Sequence, residues 1–268
     1  MTTHREIYNY LNKIAPYEDA EDWDPTGPTL GWLDDQTTAA VISLDLTSQA
    51  YELALKNKCN LIITHHPFIF SPINQLITDD FEQGLLLKLA EKRISSISCH
   101  TNLDAAIEGV ATAFVETALT KDSYLKNPEI LIPLEDKAEV GHGRIVTLNQ
   151  EQLLSKLLVQ VEHNLSSRIQ VNTDQDRDVK RIAFTPGAFE ESWIPELKKQ
   201  NIDLLITGEI KHHATVMLHE RSIALFAAGH GASEQTVIPL LKHKLAEEFS
   251  EIYFVENPGI NYNRLRSE

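Results

Sequence analysis

Short apolar runs alternate with longer amphipathic segments along most of this chain, and that alternation constrains the fold more than any other feature. The runs at residues 38–46, 59–64 and 94–99 are strand-like, and segments with helical spacing lie between them at residues 48–58 and 81–92. A repeated strand–helix–strand order predicts parallel strands joined by crossover helices. We therefore expect a three-layer α/β fold with mainly parallel or mixed sheets.

The same pattern occurs in both halves of the chain. ELALKNKCNLIITHH at residues 52–66 resembles ELKKQNIDLLITGEIKHH at residues 196–213, and a polar stretch from Lys121 to Asp136 separates the halves. We interpret this as an internal duplication that produces two similar α/β domains, residues 1–125 and 126–268. The first domain carries the HH and TNLD motifs, and the second carries the TGE and GHxxxE motifs. Chance similarity between helix–strand units is the alternative.

Charge and composition exclude several classes of partner. The chain has 39 acidic and 24 basic residues, for a net charge of -15, which opposes nonspecific binding to nucleic acid or to an anionic membrane. No apolar run reaches the roughly 18 residues of a transmembrane helix, and the N-terminus lacks a signal-peptide core. Cys59 and Cys99 lie in apolar runs, as buried reduced thiols do. We expect a cytoplasmic protein with no nucleic-acid or membrane partner.

Histidine and carboxylate side chains follow three of the apolar runs, in the motifs THHPF, HTNLDAA and GHGASE. Open α/β sheets bind ligands where strands end, and imidazole with carboxylate is a ligand set for zinc, manganese, iron or nickel. Five such side chains are more than one tetrahedral ion needs. The sequence therefore predicts two divalent ions per subunit, of undetermined identity, with these ligands: His65, His66, Asp104, His230 and Glu234.

Each motif also has a simpler explanation when it is considered alone. The adjacent histidines fit two unrelated loop residues, and Asp104 fits the N-cap of the helix that follows it, a role compatible with metal binding. Ser233 fits another N-cap, with Glu234 in solvent. The occurrence of all three motifs together favours the metal site.

Other polar residues are weaker candidates. His100 and Asn102 fit residues that orient a ligand, and His100 and His212 are the candidates for proton transfer. Glu209 in the TGE motif fits a supporting or substrate-binding group. At the other end of the chain, Thr3 and Glu6 fit the capping box of a first helix. No cofactor-binding motif is present in the sequence.

These motifs together resemble a known family. THHPF, HTNLDAA, ITGE with a following HH, and GH followed by SE are similar to the GTP cyclohydrolase I type 2 homologues, a dinuclear-metal family also known as NGG-one interacting factor three-like. The resemblance extends from Trp23 and Asp24 to Asn257–Gly259. It implies the same five metal ligands, two similar α/β domains with the metal site in the cleft between them, and a homohexameric ring. The segments DPTGPTLG and FTPGAFEES depart from the family pattern, which leaves the substrate less defined than the metal site.

The resemblance and the ligand set together predict a dinuclear metal-dependent hydrolase that acts on a small nucleotide-like molecule. The family name suggests GTP as the substrate. The alternative is a non-enzymatic metal-handling or regulatory protein that uses the same metal site.

Overall fold

The computed structural model describes residues 1–125 and 128–259. Within them the helices are α1 (His4–Ile14), α2 (Ser48–Lys56), α3 (Phe81–Glu91), α4 (Thr101–Ala105), α5 (Val110–Ala118), α6 (Leu154–Leu165), α7 (Ile194–Lys199), α8 (His212–His219), α9 (His230–Glu234) and α10 (Val237–Glu248). The strands are β1 (Gly27–Leu30), β2 (Ala39–Ser43), β3 (Leu61–Thr64), β4 (Ser95–Ser98), β5 (Glu129–Leu134), β6 (Lys137–Leu153), β7 (Gln170–Val171), β8 (Asp178–Ala188), β9 (Leu204–Glu209), β10 (Ala224–Ala227) and β11 (Tyr253–Glu256).

The first compact unit contains Met1–Leu103 and the described residues from Ile238 to Gly259. Its five-stranded sheet has the order β1-β4-β3-β2-β11. Strands β2, β3 and β4 are parallel to one another, β11 is parallel to β2, and β1 runs antiparallel to β4. Every residue of β2, β3 and β4 is buried, which explains why these strands are nearly continuous apolar or small-residue runs.

The core of this unit lies where α2 and α3 pack on the sheet. Tyr51 from α2 and Leu85 and Leu89 from α3 are buried in one cluster with Val41 of β2 and Ile62 of β3. Burying a side chain of this size stabilises the fold by about 1.5–3 kcal/mol. The sheet that carries the first histidine motif is therefore rigidly supported.

The second unit, Asp104–Val237, contains a six-stranded sheet with the order β5-β6-β8-β9-β10-β7. Strands β8, β9 and β10 are parallel, and the other pairings are antiparallel. Helices α5 and α6 cover one face through a cluster that includes Phe114, Leu157 and Phe184. Helices α7 and α8 cover the other face through a cluster that includes Leu197 and Leu218. The predicted α/β class with mixed sheets and helical layers is confirmed.

The units differ from the division expected between residues 125 and 126. The chain returns to the first sheet at its end, because β11 pairs with β2. Residue 126, where the sequence places the boundary, lies outside the described residues. The polar stretch Lys121–Asp136 is also not wholly a linker, because it contains β5. No helix within residues 1–125 or 128–259 is long and apolar enough to cross a bilayer.

Candidate metal centre

The adjacent histidines prolong β3 beyond its last ladder residue, Thr64. The backbone N–H of His65 donates to the carbonyl of Ser43 at 3.1 Å, and that of His66 donates to the carbonyl of Leu44 at 3.0 Å. The Thr64 hydroxyl donates to the His66 carbonyl at 2.8 Å, which closes a tight turn at the strand end. The two rings then lie 4.9 Å apart, centroid to centroid.

A third imidazole, His100, joins this pair from the segment between β4 and α4. Its ring centroid lies 5.2 Å from that of His65 and 5.5 Å from that of His66. Each of the three histidines has a potential ligand atom within 4.8 Å of the others. The sequence interpretation assigned His100 only an orienting or proton-transfer role, and the structure places it inside the imidazole cluster.

Each imidazole of this cluster has an oxygen acceptor at Nδ1. For His65 it is the carbonyl of Cys99 at 2.8 Å, for His66 it is Oδ1 of Asp45 at 2.7 Å, and for His100 it is Oδ1 of Asp24 at 3.0 Å. An acceptor at Nδ1 retains the proton there in the neutral ring, so that Nε2 carries the lone pair. Metal-binding histidines are oriented in this way by carboxylates and carbonyls.

Asp24 is held firmly beside His100. Besides the His100 ring, its carboxylate accepts hydrogen bonds from the backbone N–H of Thr101 at 3.0 Å and from the Thr101 hydroxyl. Burial opposes ionisation of this carboxyl, but the hydrogen bonds from His100 and Thr101 outweigh it and lower the pKa of Asp24. Asp24 is therefore an ionised, buried anchor for His100.

Sequence reasoning missed the roles of Asp24 and Asp45. Asp45 follows β2, the neighbour of β3, and an acidic residue at the end of that strand was a usable signal. Asp24 lies in an irregular loop, and only the Trp23–Asp24 pair of the family resemblance pointed to it. Its partner His100 lies 76 residues away along the chain, a separation that no local pattern reveals.

In the second unit, His230 and Glu234 lie on one short helix, α9. Nε2 of His230 is 3.0 Å from Oε2 of Glu234, and Nδ1 is 3.2 Å from Oε1 of Glu209. Glu234 is buried, whereas His230 is partly exposed. A partly buried imidazole between two carboxylates forms an electronegative pocket that favours a cation.

Two glycines and a serine allow this pocket to close. Gly187 has φ +66°, and a Cβ atom there would lie 2.2 Å from Oε1 of Glu234. A Cβ atom at Gly208 would lie 2.6 Å from the Ser233 hydroxyl. That hydroxyl accepts the Gly187 N–H at 3.0 Å and donates to the His230 carbonyl at 2.7 Å. The ends of β8 and β9 can therefore approach α9 closely because Gly187 and Gly208 have no side chain.

The two capping explanations are wrong. Helix α9 begins at His230, so Ser233 lies inside it, and α4 begins at Thr101, so Asp104 lies near its C-terminal end. Asp104 has one carboxylate oxygen, Oδ1, enclosed by protein.

Within each unit the structure groups some of the predicted ligands. His65 and His66 lie with His100 in the first unit, and His230 lies with Glu234 in the second, whereas Asp104 is in neither group. His212 is exposed at the start of α8, and it belongs to no cluster of potential metal ligands in the described part of the chain. Imidazole nitrogens and carboxylate oxygens fit zinc, manganese, iron or nickel, so the side chains present are chemically suited to a divalent ion.

Comparison with known proteins identifies the family of this chain. The family model Duf34/NIF3 (NGG1p interacting factor 3) matches residues 2–259. A GTP cyclohydrolase 1 type 2 homolog of Clostridium acetobutylicum is 28% identical over 244 residues, covering 90% of this chain and 88% of the relative. The GTP cyclohydrolase 1 type 2 of Helicobacter pylori strain J99 is 27% identical over 257 residues, covering 96% of this chain and 97% of the relative.

Solved structures share the fold. A hypothetical protein of Staphylococcus aureus has a TM-score of 0.87 at 20% identity and covers 99% of each chain. Reduced HcgD from Methanocaldococcus jannaschii has a TM-score of 0.79 at 23% identity, covering 95% of this chain and 97% of its own. Because the family model spans nearly the whole sequence, this chain belongs to the Duf34/NIF3 (NGG1p interacting factor 3) family.

Proposed function

We propose that the chain is a dinuclear metal-dependent hydrolase acting on a small nucleotide-like substrate. The observation that carries the proposal is the set of three imidazoles whose Nδ1 atoms are all held by oxygen acceptors. The pair formed by the partly exposed His230 and the buried Glu234 supports it independently. In this proposal two divalent ions bind to His65, His66, Asp104, His230 and Glu234.

The protein's own residues would orient the ligands and move protons. Asp45 and the Cys99 carbonyl accept at Nδ1 of His66 and His65 and so leave the lone pair on Nε2, the atom of each ring that would hold an ion, and Glu209 would orient the ring of His230. When bound, a pair of divalent ions lowers the pKa of water and polarises the electrophile. Nε2 of His100 is then the atom that accepts a proton during hydrolysis, while Asp24 stabilises the resulting imidazolium.

GTP is the first substrate to test, because the Helicobacter pylori relative is named GTP cyclohydrolase 1 type 2. Bound divalent ions would offset the net charge of -15 that otherwise repels an anionic nucleotide. Hydrolysis of both C8–N bonds of the purine, first to a ring-opened formamide and then with a second water to the amine, releases C8 as formate. Protein loaded with manganese or zinc should release formate from GTP, and Glu234→Ala protein should not.

The alternative, a non-enzymatic metal-handling or regulatory protein, predicts a different result in the same assays. Metal-loaded protein that turns over neither GTP nor a panel of phosphatase and other nucleotide substrates, yet binds its ions tightly, would be a metal-handling protein.

We also propose, from the family resemblance, that the chain forms a homohexamer in the cytoplasm. Light scattering of the purified protein should give a mass about six times that of the 30.2 kDa chain. A monomer or dimer at all concentrations would contradict this assembly.

A further inference from the structure

Two large aromatic side chains stand exposed beside the imidazole cluster. Trp23 is 58% exposed and Phe70, from the loop between β3 and α3, is 57% exposed. Their ring centroids lie 5.8 Å apart with an interplanar angle of 45°. Single exposed apolar residues are common on protein surfaces, but two aromatic rings in contact at the edge of a candidate site are typical of a binding surface.

The aromatic pair is continuous with the candidate metal ligands. The Trp23 and His100 rings meet in an edge-to-face arrangement, with a centroid distance of 5.9 Å and an interplanar angle of 75°. His100 in turn lies 5.2 Å from His65. A planar molecule stacked on Trp23 or Phe70 would therefore have its edge beside the imidazoles.

The backbone that carries Trp23 is fixed before any ligand binds. The N–H of Glu21 donates to the Thr101 hydroxyl at 3.0 Å, and the N–H of Asp24 donates to the carbonyl of Glu21 at 2.9 Å. Asp24 is anchored by Thr101 and His100, as described above. Trp23 thus lies between Glu21 and Asp24, which are both hydrogen-bonded to Thr101 at the start of α4. A rigid aromatic side chain loses little conformational entropy when a ligand stacks on it.

We propose that Trp23 and Phe70 form a stacking surface for the planar heterocyclic ring of the substrate. The substrate class is then a molecule with a purine or similarly fused aromatic ring, rather than a sugar phosphate or a simple phosphate ester. This inference rests on the proposed function, because the ring would be held next to the metal ligands. Stacking of a base on an aromatic side chain is worth about 1–3 kcal/mol by alanine substitution, which is roughly 5- to 150-fold in affinity.

The test measures binding instead of turnover. Calorimetric titration of the metal-loaded full chain with GMP and with ribose 5-phosphate compares ligands that differ by the purine ring. We expect GMP to bind more tightly. Trp23→Ala and Phe70→Ala should each weaken GMP binding by about fivefold or more and leave ribose 5-phosphate binding unchanged. Trp23→Phe, which retains a ring, should keep most of the GMP affinity.

The matched control is Tyr253→Ala, because Tyr253 is an aromatic residue of the same unit that is 64% exposed on β11. Its GMP affinity should equal that of the wild type. Metal content and the thermal midpoint of every variant show that the site and the fold are intact.

Several outcomes would overturn the inference. They are equal affinity for the two ligands, no GMP binding by the metal-loaded wild type, and unchanged GMP affinity in both alanine variants. A change of assembly mass in these variants without a change in GMP affinity would instead mean that a second copy of the chain covers the aromatic pair. If GMP binding depends on the purine ring but GTP releases no formate, the stacking surface is supported. Only the proposed cyclohydrolase activity is then rejected.

Discussion

A side chain added at Gly187 would disturb the candidate metal site directly. A Cβ atom there would meet Oε1 of Glu234 at 2.2 Å, and the backbone has φ +66°. We predict that Gly187→Ala destabilises the protein by about 1–2 kcal/mol through the left-handed backbone and also lowers its divalent-ion content by displacing Glu234. Chemical denaturation and elemental analysis measure the two effects.

Gly27→Ala is the control for that prediction. Gly27 also has a positive φ, +109°, but the nearest atom to an added Cβ is 3.9 Å away, so this variant adds backbone strain without a collision. It should keep its metal content. Equal metal content in both variants would mean that the position of the Glu234 carboxylate does not depend on the absence of a side chain at Gly187.

The pH dependence of the unfolding free energy tests whether the Asp24 carboxylate stabilises the loop that anchors His100. Hydrogen bonds from His100 and Thr101 lower the pKa of Asp24 in spite of its burial, so the stability it contributes is present above about pH 4 and is lost as the pH falls through the lowered pKa. Metal-free wild type should exceed Asp24→Asn in unfolding free energy by about 1–3 kcal/mol near pH 6. The difference should shrink below pH 4, roughly as the carboxylate is protonated.

The adjacent, exposed Asp22 supplies the comparison for the Asp24 experiment. Asp22→Asn should have an unfolding free energy within about 0.5 kcal/mol of the wild type. A constant difference between the wild type and Asp24→Asn from pH 6 to pH 3 would show that the charge of Asp24 is not what stabilises the loop.

At the scale of elements, the start of α1 was predictable from local chemistry alone. The Glu6 N–H donates to the Thr3 hydroxyl at 3.2 Å, and the Glu6 carboxylate accepts the Thr3 N–H at 2.7 Å, which confirms the capping box. Thr3→Ala should cost about 0.5–2 kcal/mol of unfolding free energy. Thr215→Ala, inside α8, removes a hydroxyl without removing a cap and should be nearly neutral. Equal losses in the two variants would contradict a capping role for Thr3.

Elements that depend on distant partners were not predictable in the same way. β1 lies in a segment with two prolines and two glycines, and it forms a strand because it pairs with β4, about 70 residues away. β5 occurs in the polar stretch because it pairs with β6 at the edge of the second sheet. Apolar spacing over residues 105–119 and 233–248 predicts one helix each, whereas α5 begins only at Val110 and residues 233–248 contain the end of α9 and then α10. Gly109 at the N-cap of α5 marks the later start of that helix.

At the scale of the whole molecule, the duplication suggested by the sequence has a counterpart in strand order. β3 is a middle strand with a parallel neighbour on each side, β4 and β2, in the first sheet, and β9 is a middle strand between its parallel neighbours β8 and β10 in the second. The sequence similarity between residues 52–66 and 196–213 ends in each case at the carboxyl end of that middle strand. The proposed ligands of each unit thus follow strands of its sheet, where open α/β sheets bind ligands. The position of His100 inside the imidazole cluster and the acceptor at Nδ1 of each ring were found only from the three-dimensional contacts.

The count of bound ions tests the central claim most directly. Elemental analysis of purified, buffer-exchanged protein should find about two divalent ions per chain. His66→Ala and Glu234→Ala should each lower that number while the thermal midpoint of the metal-free protein stays near that of the metal-free wild type. His243→Ala, which alters an exposed histidine on α10, should retain the wild-type content. Full occupancy in both ligand variants, or a wild-type protein that holds no divalent ion, would contradict the account.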